Sequence, residues 1–425
     1  MNPDHGAFRF DKKLFLLISL LLTVITIPLE NNWNSWAIFY FVFAGLIQAP
    51  IKEHFKKLWQ HRYWMIAVGF FFWLAATWLW DSHEAVFIKV IESYGAFLSL
   101  PIIFTIIPRL TWRDIAILCY VFVATIIVVC VVCLVSAYLE YQVTHDEFVF
   151  SYHYLSYQAG LNAIFLSNYC LASIIWLLYF NFINKVNSPF RIPAAGVILL
   201  CLFFFGMILL LSSKLVIFLT VITLLYFIVR ISITRVKNLL VGFVLAAVVV
   251  VSAAWMMNNV AYIKFRMRSM ELKMYSGSAD DQNGLAARLL IWDSALELIR
   301  EKPVIGYGLV QSKEELIEKY QEKGFQIGVK ERYNVHNQYL ESMLSAGIIG
   351  LLLFIGLLFY PLRAACKERK LLLLLVVLHY MLQSFVESTL TVQQELIFFW
   401  FFIWLFYFHL PPAGQPAATI SEKQQ

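Results

Sequence analysis

The sequence has little charge. Only 14% of its 425 residues are Asp, Glu, Lys or Arg, against 61% hydrophobic residues, where soluble domains carry about 25% charged residues. That shortage excludes a string of soluble cores and points to an integral membrane protein. Cysteine is also scarce. The six, at 119, 130, 133, 170, 201 and 366, all avoid the one long polar stretch, so no disulfide framework is expected. No G-x-x-x-x-G-K-[ST] run is present, which removes the signature of ATP-driven transport. There is no H-E-x-x-H and no pair of C-x-x-C motifs. No D-x-D occurs, which argues against a sugar transferase that needs a divalent cation. The two halves show no clear internal repeat, which weakens a secondary-transporter reading. No small-residue cleavage site follows the first apolar run, so that run is expected to be an uncleaved span.

What is present is a series of apolar runs, about twelve, at 14–29, 33–50, 63–80, 85–107, 115–138, 161–183, 192–211, 215–229, 239–257, 343–360, 371–386 and 396–410. The fold class expected is all-α. The loops between the runs alternate in charge. Those at 51–62, 109–113, 184–191, 230–237 and 363–370 hold Lys and Arg, whereas 30–32, 81–84, 139–160 and 387–395 hold none. The positive-inside rule then puts both termini in the cytoplasm and the polar stretch outside. The chain divides into spans one to nine (1–257), an outer segment (258–342), spans ten to twelve (343–410) and a cytoplasmic tail (411–425). The net charge of +6 sits in short loops on one side, so it implies no nucleic-acid partner.

The outer segment is where polar chemistry collects. Residues 258–284 read as a loop. From Leu285 a helix is expected, with Leu285, Leu289, Trp292, Leu296 and Ile299 as its apolar stripe and Arg288 flanking it. Pro303 and Gly306-Tyr307-Gly308 end that helix. A second helix is expected from Ser312, with Glu315 completing a capping box and a Glu315–Lys319 pair on its surface. His336, Leu340 and Leu344 are expected on one face of a helix entering span ten. Asn337, Gln338, Tyr339 and Glu341 crowd around His336 at the membrane boundary, where such groups need partners. A plain interfacial histidine is the bland alternative. Lys214 is the only cation in a short outward turn, either snorkelling or aimed at an anionic ligand. Lys89 and Glu92 are expected to neutralise each other. Glu387 ends span eleven on the outer side, either solvated or orienting a partner.

Three motifs, in this order, resemble the O-antigen ligase and polymerase superfamily of GT-C-like membrane glycosyltransferases. They are Leu-Ser-Ser-Lys ending at Lys214, Arg288-Leu-Leu-Ile-Trp292 followed by Lys302-Pro303-Val-Ile-Gly306-Tyr-Gly308, and His336-Asn337-Gln-Tyr339-Leu340 running into Gly347. The family's usual arginine at the first motif is Lys214 here, which keeps the charge but loses bidentate geometry. The resemblance implies a periplasmic outer segment in a bacterial inner membrane. It also implies a glycan donor carried on undecaprenyl diphosphate, and an acceptor that is the lipid A core or a second lipid-linked glycan. No metal, nucleotide sugar or other cofactor is implied. Membrane lipid is the remaining partner.

On this reading Lys214 and Arg288 face the diphosphate, whose negative charge grows as the bond to the sugar breaks. Arg288 can grip a phosphate through two parallel hydrogen bonds. His336, with an ordinary pKa near 6.5, suits a general base for the acceptor hydroxyl. Asn337, Tyr339, Glu387 and Trp292 are expected to bind or orient substrate. A flippase or transporter for lipid-linked sugars is the rival class, with an export scaffold behind it.

Overall fold

The computed structural model describes residues 11–29, 31–82, 84–184, 189–190, 192–236 and 284–411, with positions 247 and 251. Among these residues the chain is helical, with no strand. Six helices are long and apolar enough to cross a membrane: Val86–Ile106, Trp112–Thr144, Ala163–Ile183, Ala194–Leu211, Lys214–Thr234 and Gln338–Lys367. Helices Asn32–Leu46 and Ile51–Gln60 make a seventh span if the bent pair counts as one. The expected spans near 14–29, 63–80, 371–386 and 396–410 coincide with shorter helices, Lys12–Thr26, Trp64–Ala76, Leu371–Gln383 and Gln393–His409. The expected span at 239–257 and the loop at 258–283 lie outside the described residues, apart from positions 247 and 251.

Two expected segments take a different form. The cationic loop at 51–62 is a helix, Ile51–Gln60, turned by 104° from the helix before it. Pro50, extended at φ −61° and ψ 148°, sets that turn. Ile51, Phe55 and Trp59 stand exposed along one side of the turned helix. The span expected to end at 138 runs on to Thr144, giving a helix of 33 residues. At 1.5 Å per residue that is about 50 Å, longer than a hydrocarbon core of about 30 Å.

The centre of the bundle is made by helices apolar on every face. All residues of Ala163–Leu178 but Ile164 are buried, and Leu396 to Phe406 are buried without a break. A helix hydrophobic all round belongs inside a protein or a membrane, and these two are walled by their neighbours. One polar group is carried into this core. Asn168 donates to Glu395 Oε1 at 2.9 Å, and its own oxygen meets His379 Nε2 at 2.9 Å. Each of the three thus has a partner, as burial demands.

Helix Gln338–Lys367 is two helices broken at Gly347, whose φ is 65° and ψ −166°. A break in lipid exposes backbone groups that need partners. Here they find them. The carbonyls of Leu344 and Ser345 accept the Tyr307 and Gly308 N–H groups at 2.9 and 2.8 Å, and Ile348 N–H donates to the Pro303 carbonyl at 2.9 Å. Trp73 Nε1 donates to the Ala346 carbonyl at 2.9 Å. The Pro303–Gly308 segment therefore plugs the gap backbone to backbone. That closeness requires glycine on both sides. A Cβ on Gly306 (φ 70°) would lie 2.6 Å from the Ser345 carbonyl carbon, and one on Gly347 would overlap the Val304 carbonyl oxygen.

Above the plug sits a small second core. Ile291, Ala295, Leu298, Tyr307, Leu316, Tyr320, Phe325 and Val335 pack together apart from the main one. It joins helices Gly284–Glu301 and Gln311–Glu322 into a layer over one end of the bundle. Asp81, buried two residues beyond the short apolar helix Trp64–Leu79, accepts the Val310 and Gln311 N–H groups at 2.7 and 3.2 Å. That carboxylate does the work expected of a Ser312–Glu315 capping box, which does not form. Ser312 donates to the Leu309 carbonyl, and Glu315 accepts from Gln311. Lys319 pairs with Glu322 rather than Glu315.

Gly347→Ala or Gly306→Ala should therefore destabilise the detergent-purified protein by more than the ~1–3 kcal/mol of a strained backbone position, since each adds a clash. Gly356→Ala, with a single neighbour at 3.6 Å, should leave the thermal midpoint unchanged or higher.

Candidate active site

The site is built where the two layers meet. Helix Gly284–Glu301 buries Ile291, Ser294, Ala295, Leu298 and Ile299, while Leu289 and Leu296 face outward. Of the expected apolar stripe, Leu289 and Leu296 are thus turned away from the body, whereas Ile299 is buried and Trp292 packs on the second core. Arg288, three residues before Ile291 and seven before Ala295, lies on the buried face instead of flanking it. Trp292 donates its indole N–H to the Val335 carbonyl at 3.1 Å. Its observed contact holds the backbone next to His336.

His336 is not on a helix face with Leu340 and Leu344. The helix starts at Gln338, capped by Asn337, whose Oδ1 accepts the Tyr339 and Leu340 N–H groups at 3.0 and 3.1 Å. His336 stands one residue outside the cap with φ 50°. Such a left-handed backbone is uncommon for a non-glycine residue and persists only when the surroundings enforce it. Glu341 supplies much of that enforcement. Its Oε2 accepts Val335 N–H at 3.2 Å and Ser388 Oγ at 3.0 Å. Gln338 does the same from the other side, its N–H meeting the Ser384 carbonyl at 2.7 Å and its Oε1 accepting Leu390 N–H at 2.8 Å. One helical turn thus clamps the segment carrying His336 to the loop carrying Glu387.

The result is a bridge of three side chains. Arg288 Nη2 donates to Glu387 Oε1 at 2.8 Å, and His336 Nδ1 lies 3.0 Å from Glu387 Oε2. Glu387 is 12% exposed. Burial alone would raise its pKa, but the charges of His336, Arg288 and His153 and the hydrogen bond from His336 outweigh burial and hold the carboxyl below the usual range. An ionised carboxylate only accepts, so Nδ1 of His336 carries the proton it donates. In the neutral ring Nε2 then has a free lone pair.

Lys214 opens helix Lys214–Ile231, two residues after Ser212 with φ 51°, and is half-buried. His153, in the short helix Tyr152–Tyr157, accepts Ala163 N–H on Nδ1 at 3.4 Å and stacks on Tyr157. It acts on Glu387 electrostatically, a role absent from the sequence reading. The only signal for it was an aromatic crowd, Ser-Tyr-His-Tyr-Leu-Ser-Tyr, in a loop otherwise notable for lacking Lys and Arg. Tyr339 is brought close in the chain, but its hydroxyl donates to the Met381 carbonyl at 3.1 Å. Asn337 and Tyr339 thus serve as a cap and a packing strut in the geometry seen here.

Such a chain, with apolar helices beneath an outer layer and an Arg–Glu–His bridge between the two, is a multi-pass membrane protein. Residues 196–355 match the family described as O-antigen ligase. A protein of Rickettsia conorii, provisionally described as a polysaccharide ligase, is 38% identical over 88 residues, covering 19% of this chain and 20% of that protein. The match thus spans about a fifth of that relative's length. Over residues 196–355 the chain is thus similar to the O-antigen ligase family. The matched region includes Lys214, Arg288, Trp292, His336, Asn337 and Tyr339, while Glu387 lies beyond it.

The depressed Glu387 carboxyl sets the sign of a pH effect. Its stabilisation is complete above the ordinary carboxylate range, near 4.3, and is lost as pH falls through the lower folded value. Glu387→Gln should be less stable than wild type at pH 7 by about 1–3 kcal/mol, the worth of a charged hydrogen bond. Thermal melts of both proteins should converge as pH drops below about 4; parallel curves would contradict the bridge.

Proposed function

We propose that the chain is a glycosyltransferase that moves a glycan from undecaprenyl diphosphate to a hydroxyl of the lipid A core at the periplasmic face. The observation that carries this reading is the Glu387 bridge, which fixes the His336 tautomer and aims one free ring nitrogen away from the carboxylate. The likeness of residues 196–355 to the O-antigen ligase family supports the reading, as does the pairing of a base with cations.

The chemistry balances without a further reagent. The acceptor oxygen forms a bond to the anomeric carbon as the bond from that carbon to the diphosphate oxygen breaks. The electron pair of the broken bond stays on the diphosphate. The acceptor proton goes to His336 Nε2, leaving an imidazolium that Glu387 stabilises. Arg288 uses one N–H on Glu387, and its remaining donors are available to the leaving diphosphate, joined by Lys214. These charges act where negative charge develops, so they favour the transition state over the ground state. Direct attack inverts the anomeric centre.

Growth of one lipid-linked chain onto another uses the same groups and differs only in the acceptor. The test is a gel profile of surface and carrier-linked glycans in a deletion strain complemented with variants. His336→Ala should cut transfer by about 10²–10⁴, Arg288→Ala by about 10²–10³, and Glu387→Gln, through misplacement of the ring, by about 10². Long chains held on the carrier and absent from the core indicate a ligase. Single repeat units on the core indicate a polymerase. Normal profiles from all three variants would remove the assignment and favour transport.

A further inference from the structure

The turned helix Ile51–Gln60 takes no part in the bridge. Helix Trp64–Leu79 carries the chain from it to Asp81, which binds the outer layer. Its 16 residues span about 24 Å at 1.5 Å each, so Ile51–Gln60 sits at the opposite end of the bundle.

Three contacts hold it there. His54 Nε2 lies 2.9 Å from the Leu46 carbonyl, which is left open where the preceding helix stops. Lys57 Nζ donates to the Ile106 and Ile107 carbonyls at 2.8 and 3.4 Å, at the end of helix Ala96–Ile106. Trp64 donates its indole N–H to the Leu58 carbonyl at 2.7 Å. His54, Lys57 and Leu58 thus form the side of the helix that faces the body.

The other sides are sorted by chemistry. Ile51, Phe55 and Trp59, four residues apart, make one strip and are 70, 65 and 72% exposed. Lys52 and Lys56 follow next around the helix and are exposed too. Glu53 falls on the side away from Phe55, where its field acts on Lys57. More positive charge gathers beside the apolar strip. Gln48 Nε2 donates to the Lys12 carbonyl at 2.9 Å, which brings the exposed Lys12–Lys13 pair to the turn before Ile51. Arg62 lies over the Trp59 ring at 5.2 Å. Asp11 accepts the Lys13 and Leu14 N–H groups at 2.9 and 3.1 Å as the cap of its own helix.

Turned by 104° from a span, the helix runs near the membrane plane. An apolar strip containing Trp, flanked by lysines on a helix in that plane, suits the boundary between headgroups and acyl chains. The lysine stems can lie along the chains while the ammonium groups reach phosphate. A second copy fits the strip poorly, because a two-fold contact would set the same cations against each other.

We propose that Ile51–Gln60 is an interfacial helix that binds anionic phospholipid, with Ile51, Phe55 and Trp59 among the acyl chains and Lys52 and Lys56 on the headgroup phosphates. The inference is independent of the transferase reading.

The test uses the full-length protein with Cys366, the exposed one of its six cysteines, replaced by Ser. A Phe55→Cys label in phosphatidylcholine nanodiscs then reports the surroundings of the strip. Brominated lipid, at about a tenth of the bilayer, should quench the label whichever headgroup it carries. Brominated phosphatidylglycerol should quench at least about 2-fold more than brominated phosphatidylcholine, since each lysine near an anionic surface enriches it about 5-fold. Lys52→Gln/Lys56→Gln should level the two lipids and leave quenching by phosphatidylcholine unchanged. Lys52→Arg/Lys56→Arg should keep the preference. No quenching by either lipid, equal quenching in the labelled protein with both lysines, or a preference that survives the double Gln variant overturns the proposal. So does a dimer in light scattering that Phe55→Glu dissociates, which would give the strip to a second copy.

Discussion

The structure depends on a break in a helix. Where Gln338–Lys367 parts at Gly347, the carbonyls and N–H group left open are taken up by Pro303–Gly308 and Trp73. Unsatisfied backbone groups at this depth would each cost several kcal/mol, so the outer layer is required by the bundle rather than simply resting on it. The requirement runs both ways. The layer has its own small core, but its orientation comes from the plug and from the Asp81 carboxylate. With both in place, Arg288 and His336 are delivered to the same glutamate.

The bridge shows how a membrane protein assembles polar chemistry from few charges. Arg288, His336 and Glu387 come from the inward face of a helix, a strained turn and an inter-helix loop, and none is in place without a second set of residues. Trp292 and Glu341 hold the turn. Gln338 and Ser388 hold the loop. These positioning groups are ordinary hydrogen-bonding side chains at the membrane boundary. Low dielectric makes each bond stronger and each omission costlier than in water.

Much of this was legible in the sequence, and the limits have physical causes. Apolar runs and loop charge marked most of the helices, because burial and hydrocarbon both select for long uncharged stretches. Arg288, His336 and Glu387 were singled out as polar residues where partners are needed. What failed was phase and long-range pairing. The stripe is a valid helical period and its Trp292 and Ile299 do pack inward, yet the buried face also had to hold Arg288, which left Leu289 and Leu296 outside, and periodicity cannot weigh a distant carboxylate. The His336–Leu340–Leu344 face failed because Asn337 competes as a cap and starts the helix at Gln338, two residues too late for His336 to join it. Ser312 and Glu315 had the spacing of a capping box, but Asp81, 229 residues from Val310, took the N–H groups. No local pattern announces such a partner.

The separation of Arg288 from Glu387 along the chain, 99 residues, also bears on biosynthesis. A membrane protein is threaded into the bilayer from its first residue onward. The cation and the histidine are therefore delivered before the carboxylate that joins them, and two further apolar helices separate His336 from that event. During translation the protein passes through a long stage with the helices before Glu387 made and no bridge formed. Activity on this plan begins only once Glu387 has been made, so a product stalled or truncated before it is silent rather than unregulated.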